Sequence, residues 1–424
     1  MAKSAPNHDD ILEEAKNVLY GNLKIGYSSW AEENYKYVSP SPSHYPYQWM
    51  WDSCFHAITL SHFDVGLAKN EIRNLLKSQR EDGFIPHVIF WPNNGAWAPW
   101  FVLESKNTFF PKTSQLIQPP LLAEAVEVIF KRDADPKFLY EVLPKLVRFY
   151  RWLAENRDPD NDGLISIIAP YESGMDQSPS FDEIVGIHKD NFLNVALTGR
   201  KVTFKNMLRK YGLNNIFSDD YFNVEDVVVN SIYIKNLQLL AKILSEIGDE
   251  QNARYFHLLS LKAKRSLIDK CYDKKRGFFF DIYSKEEKRT QILTVKGLIP
   301  LILDLPGSVA STLVKKHLLN EAEFWLPFPV PSVAKSEPTF RSSSSTFLKM
   351  TNIWRGPTWI NMNWYIVRGL KKHGYKREAE KIIEKSVDLV RREGFREFFN
   401  PLTGEGYGEK NFGWSTLVLD MILS

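Results

Sequence analysis

Through most of this sequence apolar residues return every three or four positions, the spacing of a helix with one buried face. Strict apolar–polar alternation, the mark of a half-buried strand, is almost absent. The sharpest stripe is in Lys376–Arg392, where Ala379, Ile382, Ile383, Val387 and Val390 align. The same spacing predicts helices over Asp9–Tyr20, Trp51–His62, Leu67–Arg80, Pro136–Asn156, Phe192–Leu213, Val227–Leu244 and Asn252–Cys271. Ser114–Lys131 reads as another, with Pro119-Pro120 tolerated in its first turn. Shorter helices are predicted over Thr294–Leu303, Val309–Leu319, Pro357–Leu370 and Asn411–Leu423. Gly277–Asp281 is the one strand-like stretch; the residues from the first helix to Pro46 read as loop. Pro327–Ser345, rich in Pro and Ser, predicts a long mobile loop of the kind that covers active sites.

About twelve helices without a short-period repeat argue against a tetratricopeptide-type array. The fold expected is all-α, an (α/α)6 toroid of six inner helices ringed by six outer ones. Its inner-helix N-termini would open into a funnel; an all-α solenoid is the competitor. No linker divides the chain, so residues 1–424 are expected to form one domain.

Composition removes several function classes. Lys and Arg total 54 against 51 Asp and Glu, so the net charge of +3 offers nothing to nucleic acid or an anionic membrane. Cys54 and Cys271 match no metal spacing, and Cys54 reads as a small core residue. The first residues lack a signal peptide's apolar core, and no window approaches a membrane span. A soluble cytoplasmic protein is the expectation; oligomeric state, including a homo-oligomer, stays open. Asp158, Asp160, Asp162 and Gly163 imitate the start of a calcium loop, but Ala169 stands where the bidentate Glu is needed. A solvated turn is expected there, and no metal or cofactor site elsewhere. Signatures of zinc proteases, dinucleotide-binding folds, P-loops and serine hydrolases are missing.

Aromatic residues make up 13% of the chain, with 12 Trp, and they crowd into segments that also carry carboxylates. Flat rings with polar edges suit the C–H faces and hydroxyls of sugars. Tyr45–Asp52 packs Tyr45, Tyr47, Trp49 and Trp51 beside Gln48 and Asp52; Trp354–Trp359 has the same character. His87, Trp91, Trp97 and Trp100 lie in a loop able to roof such a pocket. Asp176 sits in the turn Tyr171–Pro179, where Tyr171 and Met175 can desolvate it and raise its pKa. Glu172 is its local rival, or a hydrogen-bonding partner that holds the loop. Glu397 stands among aromatics, costly for a carboxylate unless it is paired or working. Glu405 and Glu409, among glycines, are alternative bases.

Taken together, Tyr47–Ser53, Gln118-Pro119-Pro120, Glu172–Pro179, Trp354–Pro357 and Asn400–Gly404 resemble glycoside hydrolase family 63. The likeness is nearest to its short branch of mannosylglycerate and glucosylglycerate hydrolases, and the motifs run in order from Tyr45 to Trp414. The resemblance implies an (α/α)6 barrel and inverting hydrolysis of an α-glycosidic bond without a cofactor. It implies Asp176 as general acid and Glu397 as general base. Tyr45, Trp49, Trp51, Asp52, Gln118, Gly174 and Trp359 match sugar-binding positions, and Tyr171 and Trp354 are expected to bind substrate with them. Two positions depart from the pattern: Ile353, where Tyr is common, and Tyr171, where Trp is. The partner implied is a small carbohydrate. A sugar phosphorylase on the same barrel and a non-catalytic carbohydrate-binding toroid are the alternatives.

Overall fold

The computed structural model describes residues 8–92, 101–105, 112–187, 192–343 and 353–424. Its centre is a set of helices buried on every side. All eleven residues of Met50–Leu60 are buried, as are all of Val295–Ile302. Met50–Leu60 packs on Leu122–Asp133, which packs on Val227–Glu246, then Val295–Ile302, Ile360–Lys372 and Leu417–Leu423; the last returns to the first. Outside them lie Val65–Lys77, Pro136–Asn156, Glu250–Ser266 and Lys376–Glu393, each against an inner neighbour. These outer helices carry the one-sided stripes seen in the sequence, because only one of their faces meets protein.

Val227–Glu246 has the length and composition of a membrane span, contrary to expectation, but 83% of that window is buried inside the protein. It is hydrophobic over most of its circumference because most of it meets protein, with Lys242, Ser245 and Glu246 left exposed. Asp226 caps it, accepting from Val228 N and Val229 N. Cys54 and Cys271 are buried and free.

Several sequence expectations need correction. Residues 112–121 are not helical; the helix begins at Leu122. Proline disfavours helix in the residue before it, so Gln118-Pro119-Pro120 delays the start. The segment before Pro46 is not all loop: Leu23–Ser28 and Glu33–Val38 form an antiparallel hairpin, with Gly26 opposite Tyr35. Pro327–Phe340 is irregular but anchored. Phe328, Val330 and Val333 are buried, and Phe328 N, Ser332 N and Ala334 N donate to Pro401 O, Pro357 O and Leu293 O. That is not the backbone of a mobile lid; Ser344 and Ser345 lie outside the described residues.

Functional side chains gather at the N-terminal ends of the inner helices. Trp49 is the N-cap of Met50–Leu60, Leu121 that of Leu122–Asp133, and Trp359 that of Ile360–Lys372.

Candidate active site

The turn bearing Asp176 is held from beneath by a buried ion pair. Glu172 accepts Arg157 Nη1 and Nη2 at 2.8 and 2.6 Å, and also Ile117 N and Ile168 N at 2.8 and 2.7 Å. Both side chains are fully buried, and every carboxylate lone pair has a donor. Glu172 is therefore committed to positioning the loop and is no rival acid. Above it, Ser173 Oγ bonds Pro170 O and Met175 N. Gly174 turns with φ +68°, and a β-carbon there would stand 2.5 Å from the Trp51 ring.

Asp176 is exposed, yet protein surrounds it closely enough for desolvation to lift its carboxyl to about 6. Water and protein therefore both reach this carboxyl. A cavity of about 400 Å³ behind the loop, lined by Pro179, Ser180, Asp182 and Thr339, contains neither Asp176 nor Glu397.

Glu397 enters from the other end of the chain. The Phe398–Phe399 strand pairs with Gly406–Tyr407, and Thr358 bridges to Phe399. Glu397 N donates to Glu409 O, and Glu409 N returns a bond to Glu397 Oε2 at 3.1 Å. The Tyr45 hydroxyl lies 3.4 Å from Oε1. Burial raises Glu397 to about 7, with the charges of Glu409 and Asp176 adding to the rise and its hydrogen bonds opposing it. Burial, then Glu397, Asp176 and Glu409, hold the Tyr45 proton far above the usual phenol range. The Asp176 charge thus reaches Glu397, and both carboxylates reach one phenol.

Around them, Gln118 Oε1 accepts from Trp51 N at 3.0 Å, fixing Trp51 over the loop. Trp354 and Trp359 stack at 3.7 Å and 7°, and Trp414 meets both Trp359 and Trp51 edge-on at 5.6 Å. Trp51, Trp354 and Trp359 are buried, so they form the wall of the site rather than an open stacking face. Tyr45 and Trp49 are half-buried and meet edge to face at 6.1 Å. The Trp359 indole N–H and Asp52 Oδ1 are buried without a hydrogen-bond partner among the described residues. Such orphans are costly unless a ligand meets them. Burial, with Glu397 adding, pushes the Asp52 carboxyl well up.

Other candidates fall away. Glu405 is exposed and accepts from Tyr407 OH. Arg355, a cation able to meet an acidic ligand, is committed to Asp182. Trp91 is core, stacked on Trp30 and bonded to Gln48; Trp97 and Trp100 lie outside the described residues. Asp158, Asp160 and Asp162 do converge, but the Lys270 ammonium lies 3.1 and 2.7 Å from Asp160 and Asp162.

Sequence reasoning missed Arg157 and Glu104. Arg157 directly follows a long helix, where a basic residue reads as a cap. Glu104 ends a short apolar run, Phe101-Val102-Leu103, with no motif to mark it. Desolvation and the Asp176 charge raise its carboxyl to about 8, and His87 Nε2 is 3.4 Å away.

The model of the mannosylglycerate hydrolase MGH1-like glycoside hydrolase domain matches residues 45–415. The chain belongs to this glycoside hydrolase family. A mannosylglycerate hydrolase of Thermus thermophilus is 30% identical over 89% of this glycosidase and 94% of its own length. A glucosylglycerate hydrolase of Mycolicibacterium hassiacum is 26% identical over 91% and 94%. A crystal structure of a family 63 mannosylglycerate hydrolase from Thermus thermophilus, in complex with Tris and D-glycerate, superposes with a TM-score of 0.82. It is 27% identical and covers 97% of this hydrolase and 99% of that chain.

Proposed function

We propose that this glycoside hydrolase is an inverting α-glycosidase acting on a small α-glucoside or α-mannoside. The substrates that fit are glucosylglycerate, mannosylglycerate or an α-glucosyl disaccharide. Asp176 is the general acid and Glu397 the general base, in one (α/α)6 domain. The closed circuit of inner helices and their one-sided outer partners support that architecture. The observation that carries the mechanism is the seat of Glu397, a buried carboxylate that accepts from Tyr45 OH at 3.4 Å and Glu409 N at 3.1 Å, while the other carboxyl, Asp176, stays open to water.

Protonated Asp176 gives its proton to the glycosidic oxygen as the bond to the anomeric carbon breaks. Ionised Glu397 takes a proton from water as the water oxygen bonds that carbon from the opposite face. An α-linked substrate therefore yields a β sugar and a free alcohol. Afterwards Asp176 regains a proton from solvent and Glu397 loses one.

In the unliganded cleft a single shared proton favours Glu397, at about 7, over Asp176, at about 6. The roles require the reverse. A sugar laid over Asp176 strips water from an exposed carboxylate and raises it further. Glu397 is already buried and keeps its donors from Tyr45 and Glu409. Substrate binding thus moves the proton to the acid. Tyr45, Trp49, Trp51, Asp52, Gln118, Gly174 and Trp359 shape the sugar side. Tyr171, which bonds Arg200, opens the turn that carries Asp176 and is a further substrate-binding candidate.

The test is turnover of the three glycosides with the first-formed anomer followed by NMR. A β product, lost in Asp176→Asn and Glu397→Gln, is expected. An initial α product overturns the single displacement.

A further inference from the structure

The turn that carries Asp176 is pinned behind as well as beneath. Ser178 N donates to Met175 O at 2.9 Å, and Phe181 N donates to Ser178 O at 3.1 Å. Two linked turns therefore run from Met175 to Phe181, with Asp176 inside the first and Pro179 fixing the backbone of the second. Whatever holds Phe181 holds the turn that bears the acid.

Phe181 is buried, and the Lys296 ammonium lies 3.7 Å from the centre of its ring. An ammonium has three N–H donors. Two of them go to buried carboxylates, Asp226 Oδ2 and, at 2.8 Å, Asp281 Oδ2. The other oxygens of that pair are spent on the start of Val227–Glu246. Asp281 Oδ1 accepts from Val227 N at 2.8 Å, and Asp226 Oδ1 from Val228 N and Val229 N at 2.9 and 3.0 Å. The ammonium is thus fixed on one side by the head of an inner helix, and its free side meets the ring. Phe222 meets the same ring edge to face at 5.6 Å.

Helix stability alone does not ask for this arrangement. A helix N-terminus disfavours a cation, and Lys296 lies in the first turn of Val295–Ile302 and beside the start of Val227–Glu246. One capping aspartate with an apolar residue at 296 would serve as well. What the charge adds is orientation, because a cation over a ring face in a place without water is a directed contact. It is also one of three buried cations that grip the loop on either side of Asp176. Arg157 holds Glu172 ahead of it; Lys296 holds Phe181 and Arg355 holds Asp182 behind it.

We propose that Lys296 is a positioning residue for the acid: through the Phe181 ring it sets where the Asp176 carboxyl stands against the departing oxygen. The idea rests on the reading of Asp176 as general acid.

The experiment compares two leaving groups on one sugar: the α-glycosylglycerate that the enzyme cleaves and the matching α-glycosyl fluoride. Glycerate must take a proton as it leaves, whereas fluoride departs without one, so only the first depends on a well-placed acid. Mono-, di- and trifluorophenylalanine at residue 181 drain the ring face of charge while nearly keeping its shape. Along that series kcat for the glycosylglycerate should fall stepwise, reaching about tenfold, with KM changed by less than about twofold and the fluoride turned over as before. Lys296→Met should show the same split; because it strands two carboxylates, the fluorinated ring is the variant that decides. An unchanged kcat along the series, a fall in both substrates alike, or a change in KM alone overturns the proposal. Asp176→Asn is the control and should lose the glycosylglycerate while still turning over the fluoride. If it fails to separate the two substrates, the acid is misassigned and this inference falls with it; if it separates them and the fluorinated ring does not, only this inference falls.

Discussion

Gly408 leaves the space that Glu397 fills. A β-carbon at residue 408 would overlap Oε2 of Glu397, and the backbone there turns with φ +66°. Alanine therefore meets both a strained backbone and a displaced carboxylate. Gly408→Ala should lower kcat at least tenfold with a stability loss on the order of 1–2 kcal/mol. Steady-state kinetics and a urea melt separate the two effects. Unchanged turnover would show that Glu397 does not need this seat.

On the roles proposed for them, one proton divided between Asp176 and Glu397 sets the pH optimum. Below about 6 both carboxyls are protonated and no base remains; above about 7 both are ionised and no acid remains. For glucosylglycerate, kcat/KM should peak between these values and fall on either side. In kcat, which reports the substrate complex, the upper limb should move to higher pH because bound sugar raises Asp176. Coincident upper limbs would count against that proton shift.

Glu397 also costs stability. Its folded pKa, about 7, lies above the ordinary carboxylate value near 4.3, so the folded state holds a proton that the unfolded chain releases. Stability falls as pH rises from about 4 to about 7, and the penalty is complete above that. Glu397→Gln should therefore be more stable than the parent at pH 8, by roughly 1–3 kcal/mol, and lose that advantage by pH 4. Denaturant melts at the two pH values check the sign.

Arg157→Met should strand Glu172 as a buried, unpaired carboxylate. The expected cost is about 3–5 kcal/mol, and the Asp176 loop should loosen. Pairing it with Glu172→Leu should recover most of the stability without recovering turnover, because the backbone donors Ile117 N and Ile168 N then lose their acceptor. Full recovery of activity in the double variant would show that the pair does not position the acid.

Helix periodicity was legible wherever one face meets protein and the other meets water, as in Pro136–Asn156, whose predicted and observed limits coincide. It failed at 114–121, where two prolines decide the backbone, and at Leu23–Val38, where a two-stranded ribbon lies flat on the fold. Its outer face carries exposed Ile25 and Tyr27, which masks the alternation. Asp176 and Glu397 could be named as candidates because their surroundings are contiguous in sequence. Glu104 and Arg157 could not, since what makes each significant is a neighbour brought up from a distant part of the chain. The sequence shows Trp recurring beside carboxylates, but it cannot say that Trp354 and Trp359 spend their faces on each other.

The seat of Glu397 is where early and late parts of the chain are stitched together. Asn22 Nδ2 donates to Asn411 O at 2.8 Å, Gly413 N to Pro40 O at 2.8 Å, and Tyr45 reaches across to Glu397. On the ribosome, the first half of that seam must wait, unmatched, until residues 411–413 have been synthesised. Nascent chains halted before residue 411 should therefore be silent toward substrate however much helix they have already formed, and catalytic competence arrives in a single late event.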